Sequence, residues 1–190
     1  LQDMPEQRRQ QDQSREIEAV RRMQSKWIAA AAYGLLIASM ANAESSIVGR
    51  ASVIDGDTLE INGERIRLHG VDAPESWQRC EDGDGATYRC GREAAAALDR
   101  FLSASRPARC EFVERDRYSR VVGVCFRADG ANVNNWLVAN GHAVDWPRYS
   151  DGAYADAQAS ARERKFGIWR GEFLEPCQAR AIRSKQLPSC

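Results

Sequence analysis

The sequence has no net charge: 27 Lys and Arg stand against 27 Asp and Glu. A nucleic-acid partner would find no global basic field to steer it, so any polyanion must be met by local charge. Lysine is nearly missing, at Lys26, Lys165 and Lys185, and almost every cation is a guanidinium suited to bidentate phosphate contacts. There are two histidines, His69 and His142, and no Cys-x-x-Cys pair, which sets zinc aside. No Ser-His-Asp arrangement is apparent, so a peptide or ester hydrolase has no nucleophile set to build on. No apolar run reaches the roughly 20 residues that a transmembrane helix needs. No repeats appear.

What is present begins with an address. Met23-Gln-Ser-Lys26 is a short basic segment, Trp27 to Met40 is uncharged and rich in Ala and Leu, and Ala41-Asn-Ala43 is an A-x-A cleavage signal. Residues 23–43 are expected to be a secretory signal peptide cut after Ala43, leaving a soluble, monomeric protein in the periplasm or outside the cell, with no stable membrane association. Residues 1–22 are polar and precede that signal, so they are expected to be a disordered tail or a gene-model artefact, with translation starting at Met23. All six cysteines follow: Cys80, Cys90, Cys110, Cys125, Cys177 and Cys190. An even count in an exported domain favours disulfides, of which 15 connectivities are possible. Local pairing, Cys80 with Cys90, Cys110 with Cys125 and Cys177 with Cys190, is the simplest of them.

The rest reads as a small barrel. Val48 to Ile54 and Thr58 to Ile61 are strands around Asp55-Gly56, and Asn62-Gly63 predicts a tight turn with both residues at positive φ. Glu64 to Val71 is the return strand. Ser76 to Gly91 is a loop with a solvated Glu81-Asp-Gly-Asp84. Arg92 to Ser103 is a helix with Ala95, Leu98 and Leu102 inward, and a hairpin follows around Arg115-Asp116-Arg117. Asn132 caps a second helix through Val138 that Asn140-Gly141 ends. Tyr154 to Phe166 is a third helix, closed by Gly167. Five strands and about three helices predict an α+β protein, a five-stranded Greek-key barrel of OB type, over residues 44–170, with 171–190 as an extension.

Two segments concentrate chemistry. Asp55-Gly-Asp-Thr58 and Arg65-Ile-Arg-Leu-His-Gly-Val-Asp-Ala-Pro-Glu75 bring hard carboxylate oxygens, a carboxylate after a proline and a guanidinium into one short stretch. Such a set can hold a divalent cation, activate a water and neutralise a phosphate. Each residue alone has a plainer reading: Asp57 as a turn former, Glu75 as a solvated residue, Arg67 as an exposed strand arginine.

The chain resembles the staphylococcal nuclease (thermonuclease) family. Five motifs carry the resemblance in order: Asp55-Gly-Asp-Thr58; Arg67 with Val71-Asp-Ala-Pro-Glu75; Asp116-Arg-Tyr-Ser-Arg120; Asn132-Val-Asn-Asn-Trp-Leu-Val138; and Gly167-Ile-Trp169. It implies Ca²⁺-dependent cleavage of DNA and RNA leaving 3′-phosphate ends. It also implies roles: Asp57, Asp72 and the backbone carbonyl of Ala73 for calcium, Glu75 as general base, and Arg67 and Arg120 on the phosphate. Trp146 and Tyr149 fall near the family's nucleotide-stacking tyrosines, and Arg117 and Tyr118 near the same pocket. Ser119 stands where the family usually has glycine, a change expected to disturb Arg120 little. A catalytically inactive OB module that binds nucleic acid or protein is the alternative.

Overall fold

The computed structural model describes residues 46–188 and 190, so the expected signal peptide, its expected cleavage site and the upstream segment lie outside the described residues. The chain opens with β1 (Ser46–Gly49) and β2 (Ala51–Val53), two halves of one strand bent at Arg50. It continues with β3 (Thr58–Ile61) and β4 (Glu64–Leu68), joined by Asn62 and Gly63 at φ of 54° and 82°. Those values are the pair of left-handed residues that the Asn-Gly signal demands. After β5 (Val71–Asp72) come α1 (Cys90–Ser103), β8 (Ala108–Arg115) and β9 (Val121–Phe126).

The six-stranded sheet runs β1-β8-β9-β4-β3-β2. Because β1 and β2 are adjacent in the chain yet sit at the two ends of that order, the sheet curls into a nearly closed barrel with five strand positions. Bending one strand to pair on both sides removes exposed edges. β4 and β9 pair in parallel, Arg67 opposite Val122, and the other pairings are antiparallel. The interior is filled by Leu59, Ile61, Ile66, Leu68, Val121 and Cys125 from the strands and by Leu98, Leu102, Val133, Leu137 and Val138 from the helices.

α2 (Val133–Ala139) is capped by Asn132, whose side chain accepts from the Asn135 amide at 2.9 Å. Two residues on, fully buried Asn134 donates to the carbonyls of His69 (2.9 Å) and Gly123 (3.3 Å) and accepts from the Cys125 amide (3.0 Å). One side chain thus ties α2 to the residue after β4, the strand that carries Arg67, and to the middle of β9, which Arg120 directly precedes.

The structure adds elements that the sequence pattern does not show. The loop after Glu75 contains a small hairpin of β6 (Cys80–Glu81) and β7 (Thr87–Tyr88). Among the described residues there are five α-helices rather than about three. Besides α4 (Ala155–Glu163), a short α3 (Pro147–Ser150) follows β10 (Val144–Asp145), and α5 (Pro176–Ser184) lies in the segment read as an extension. On α1 the inner face is Ala94, Ala97, Leu98 and Leu102, with Ala95 half-buried beside it. The cysteines pair locally as Cys80–Cys90, Cys110–Cys125 and Cys177–Cys190. Among the described residues no helix is long and apolar enough to cross a membrane.

Candidate functional site

The hairpin register explains why two motifs ten residues apart meet. Thr58 lies directly opposite Arg67 across β3 and β4, so the preceding turn delivers Asp57 beside the arginine. Arg67 Nη1 donates to Asp57 Oδ1 at 2.7 Å and Nη2 to Asp72 Oδ1 at 3.2 Å. Asp57 Oδ1 also accepts from the Thr58 hydroxyl at 3.2 Å, and its Oδ2 from the Ala73 amide at 3.1 Å. Both aspartates are buried, 5% exposed for Asp57 and 2% for Asp72, so these bonds offset a desolvation cost that an unpaired carboxylate could not bear. Burial pushes the Asp72 carboxyl up and the nearby Asp57 charge adds to this, while Arg180 and Arg67 pull against it. Burial works against the charge on Arg67, but Asp57 and Asp72 outweigh it and hold the guanidinium firmly protonated.

Arg120 reaches the same face by a different route. It lies two residues before Val122, the parallel partner of Arg67, and side chains two apart on a strand share a face. Its Nε donates to Asp116 Oδ2 at 2.7 Å, and the Asp116 Oδ1 accepts the amides of Tyr118 and Arg120, closing the hairpin tip. Burial alone would raise the Asp116 carboxyl, but those bonds win and hold it below its usual range. Ser119 sits at φ 63°, the left-handed region where glycine carries no Cβ penalty. The serine is therefore strained, a cost the sequence reading did not assign to it.

A cleft of about 730 Å³ collects these groups. Asp57, Arg67, Ala73, Glu75, Arg117, Tyr118, Arg120, Trp146 and Tyr149 all line it, and Asp72 lies buried beside them, bonded to Arg67. Tyr118 is well exposed with the Arg117 and Arg120 guanidiniums over its ring at 5.4 and 5.6 Å. Trp146 is half-buried, edge-on to Tyr149 at 4.6 Å between centroids, and carries guanidiniums rather than presenting a free face: Arg67 at 5.7 Å and Arg180 at 5.6 Å. Tyr118 and Tyr149 are the more open aromatic surfaces.

Two residues of this neighbourhood escaped the sequence reading. Arg180, on α5, bonds Asp72 and Glu75, and no motif marks it. Gln78, 3% exposed, accepts from the Glu75 amide at 3.2 Å and donates to the Leu174 carbonyl at 2.7 Å, fixing the backbone of Glu75 to the tail. Its position three residues after Glu75 is the only local signal.

The donor set suits a hard divalent cation. Asp57, Asp72 and Glu75 offer oxygen alone, and against Arg67 and Arg180 these three carboxylates leave a negative remainder. Glu175, Cys177 and Cys190 form a tighter cluster of metal-type ligand atoms, but both sulfurs belong to a disulfide and offer no thiolate.

Fold and cleft define an OB-type barrel with a carboxylate–guanidinium site on its outer face. Residues 65–171, more than half of the chain, match the family model described as Staphylococcal nuclease homologue, and the chain belongs to that family. It is 55% identical over 166 residues to the succinoglycan biosynthesis protein ExoI of Rhizobium meliloti (strain 1021), covering 87% of each chain. It is 34% identical over 122 residues to an uncharacterized endonuclease of Escherichia coli, covering 62% of this chain and 72% of that one. It is also 32% identical over 131 residues to endonuclease YhcR of Bacillus subtilis (strain 168), covering 62% of this chain and 11% of that one.

Proposed function

We propose that the protein is a nuclease that hydrolyses DNA and RNA phosphodiesters with low sequence specificity, depends on Ca²⁺ and leaves 3′-phosphate ends. The observation that carries the reading is the convergence of Arg67, Glu75 and Arg120 on one cleft beside the buried pair Asp57 and Asp72. Arg67 and Arg120 would bind the phosphate and spread the charge that develops on its oxygens, work that a fixed fork of donors does better than an ammonium. Glu75, 29% exposed at its side chain and reached from the cleft, would take the proton of the attacking water. Asp57, Asp72 and the Ala73 carbonyl would hold Ca²⁺, which supplies Lewis-acid polarisation and positive charge when bound. Arg117, Tyr118, Trp146 and Tyr149 would seat the flanking sugar and base.

The name of the 55% identical relative states a process and no reaction; those of the E. coli and B. subtilis relatives state an endonuclease, and a phosphodiester is what these guanidiniums suit. The protein would act after export as a monomer, residues 44–170 forming the catalytic domain and 171–190 its C-terminal extension. Three disulfides support export, since such bonds persist outside the reducing cytosol. Mass spectrometry of exported protein should give an N-terminus at Glu44; a species retaining Trp27 to Met40 sinks the processing claim.

The test is digestion of supercoiled plasmid and of RNA by the purified protein, with Ca²⁺ or with chelator. Cleavage should need Ca²⁺ and end groups should be 3′-phosphates. Folded protein that binds DNA without cutting it would assign the chain to the inactive binding module instead.

A further inference from the structure

The C-terminal segment is built into the site. α5 starts with Pro176 at its first turn and ends at Lys185, which takes the left-handed conformation (φ 56°). The Glu81 amide donates to the Glu172 carbonyl at 2.8 Å and Gln78 donates to the Leu174 carbonyl, so the approach to the helix is pinned to the loop that follows Glu75. Ala179 and Ala181 are buried, and Arg183, three residues after Arg180 and so on the same side, lies 4.5 Å over the Trp77 ring. Nine residues of isolated helix would be marginal in water, and Cys177–Cys190 closes this segment on itself.

That seat aims one side chain at the acidic cluster. Arg180 Nη1 donates to Asp72 Oδ1 at 2.8 Å and to Glu75 Oε1 at 2.8 Å, and Nη2 donates to Asp72 Oδ2 at 2.8 Å. Both oxygens of Asp72 and one of Glu75 are taken. A hard cation on Asp72 and a guanidinium on Asp72 use the same lone pairs, and at that range their charges repel. The family match ends at residue 171, so neither the helix nor Arg180 lies within it.

We propose that Arg180 is an internal stand-in for the cation: the tail helix holds its guanidinium on the oxygens of Asp72 and Glu75, so that a divalent cation binds by displacing it. The same displacement frees Glu75, making Arg180 a positioning residue for the candidate base. By reciprocity, whatever Arg180 costs the cation in affinity, the cation costs the seating of α5. This rests on the reading of Asp57 and Asp72 as cation ligands given above.

The experiment is calorimetric titration of the full exported chain with CaCl₂ alone, no nucleic acid present, for the parent, Arg180→Gln and Arg180→Lys. Hydrogen exchange of residues 176–184 is followed in parallel. Arg180→Gln should bind Ca²⁺ about tenfold more tightly than the parent, ~1.4 kcal/mol. Arg180→Lys keeps a charge but loses the fork and should fall between; it carries the test if the glutamine variant melts below the assay temperature. Adding Ca²⁺ to the parent should speed exchange across α5, and should not do so in Arg180→Gln. Equal or weaker Ca²⁺ binding by both variants overturns the proposal while leaving the cation site standing. An absence of Ca²⁺ binding in parent and variants alike overturns the cation site, and this proposal with it.

Discussion

Gly91, in the first turn of α1, tests how tightly the site depends on packing beneath it. A Cβ built there would lie 1.8 Å from the Glu75 carbonyl oxygen, 2.5 Å from its carbon and 2.9 Å from the Pro74 carbonyl oxygen. Ordinary contact begins near 3.4 Å, so Gly91→Ala must open this gap by about 1.5 Å. The helix is the less able to move. Its neighbouring residue Cys90 is bonded to Cys80, and Ala94, Ala97, Leu98 and Leu102 are locked in the interior. The Pro74–Glu75 segment rides between the barrel and α1 and has to yield, carrying the Glu75 carboxylate with it.

A misplacement of about 1 Å at a reacting group costs on the order of 10²-fold in rate, so Gly91→Ala should lose about that much in kcat. Without the clash the same substitution would favour the helix by up to about 1 kcal/mol; loss of activity despite better intrinsic propensity is what identifies contact as the cause. Single-turnover cleavage of a labelled oligonucleotide gives the rate, and a thermal melt shows that the variant is folded. A variant that cuts within about threefold of the parent, with unchanged Tm, would refute the reasoning.

Three further outcomes are expected. Glu75→Gln should bind Ca²⁺ and DNA yet lose roughly 10²–10⁴-fold in turnover, the usual worth of a general base; parental rates in the plasmid assay would remove Glu75 from that role. Ser119→Gly should relieve a left-handed serine worth ~1–2 kcal/mol, partly offset by the looser unfolded chain, and raise Tm by roughly 2 °C; a lower Tm would contradict it. Burial holds the His142 imidazole below its usual value, so its contribution to stability is whole above about pH 6.5 and is lost as pH falls toward the depressed folded value. Melts of the parent between pH 7.5 and 5.5 should show that loss, and His142→Gln should flatten it.

How far the sequence reaches can be judged residue by residue. Asp57 and Arg67 were legible as partners because one tight turn joins their strands, and Asn62-Gly63 fixes its register. Arg120 was not, because β9 comes beside β4 by a long-range parallel pairing that no local pattern encodes; the ordered motifs alone brought it in. On α1, Leu98 and Leu102 are buried as read, but Ala94 and Ala97 take the inward place given to Ala95, because Ala94, Ala95, Ala96 and Ala97 are identical and leave periodicity no contrast to read. β6 and β7, two residues each, are too short for alternation to appear. Arg180 lies 108 positions from Asp72, on a helix whose docking against the loop after Glu75 is a tertiary event.

These placements also change what the neutral composition means. Six arginines line the cleft with five carboxylates, and buried Asp72 beside them makes the numbers equal, so the balance of the chain is repeated at its site. Three of the six arginines are tied to carboxylates of the site. Arg67 is committed to Asp57 and Asp72, Arg120 to Asp116, and Arg180 to Asp72 and Glu75. A phosphate bound as proposed would displace a carboxylate from each of these three guanidiniums, while Arg117 and Arg148, over the rings of Tyr118 and Tyr149, hold no ion pair among the described residues. Long-range attraction for a polyanion is accordingly small. Selectivity then resides in contacts made at close range, where the fork geometry of arginine and the positions of Asp57, Asp72 and Glu75 decide which exchanges are favourable.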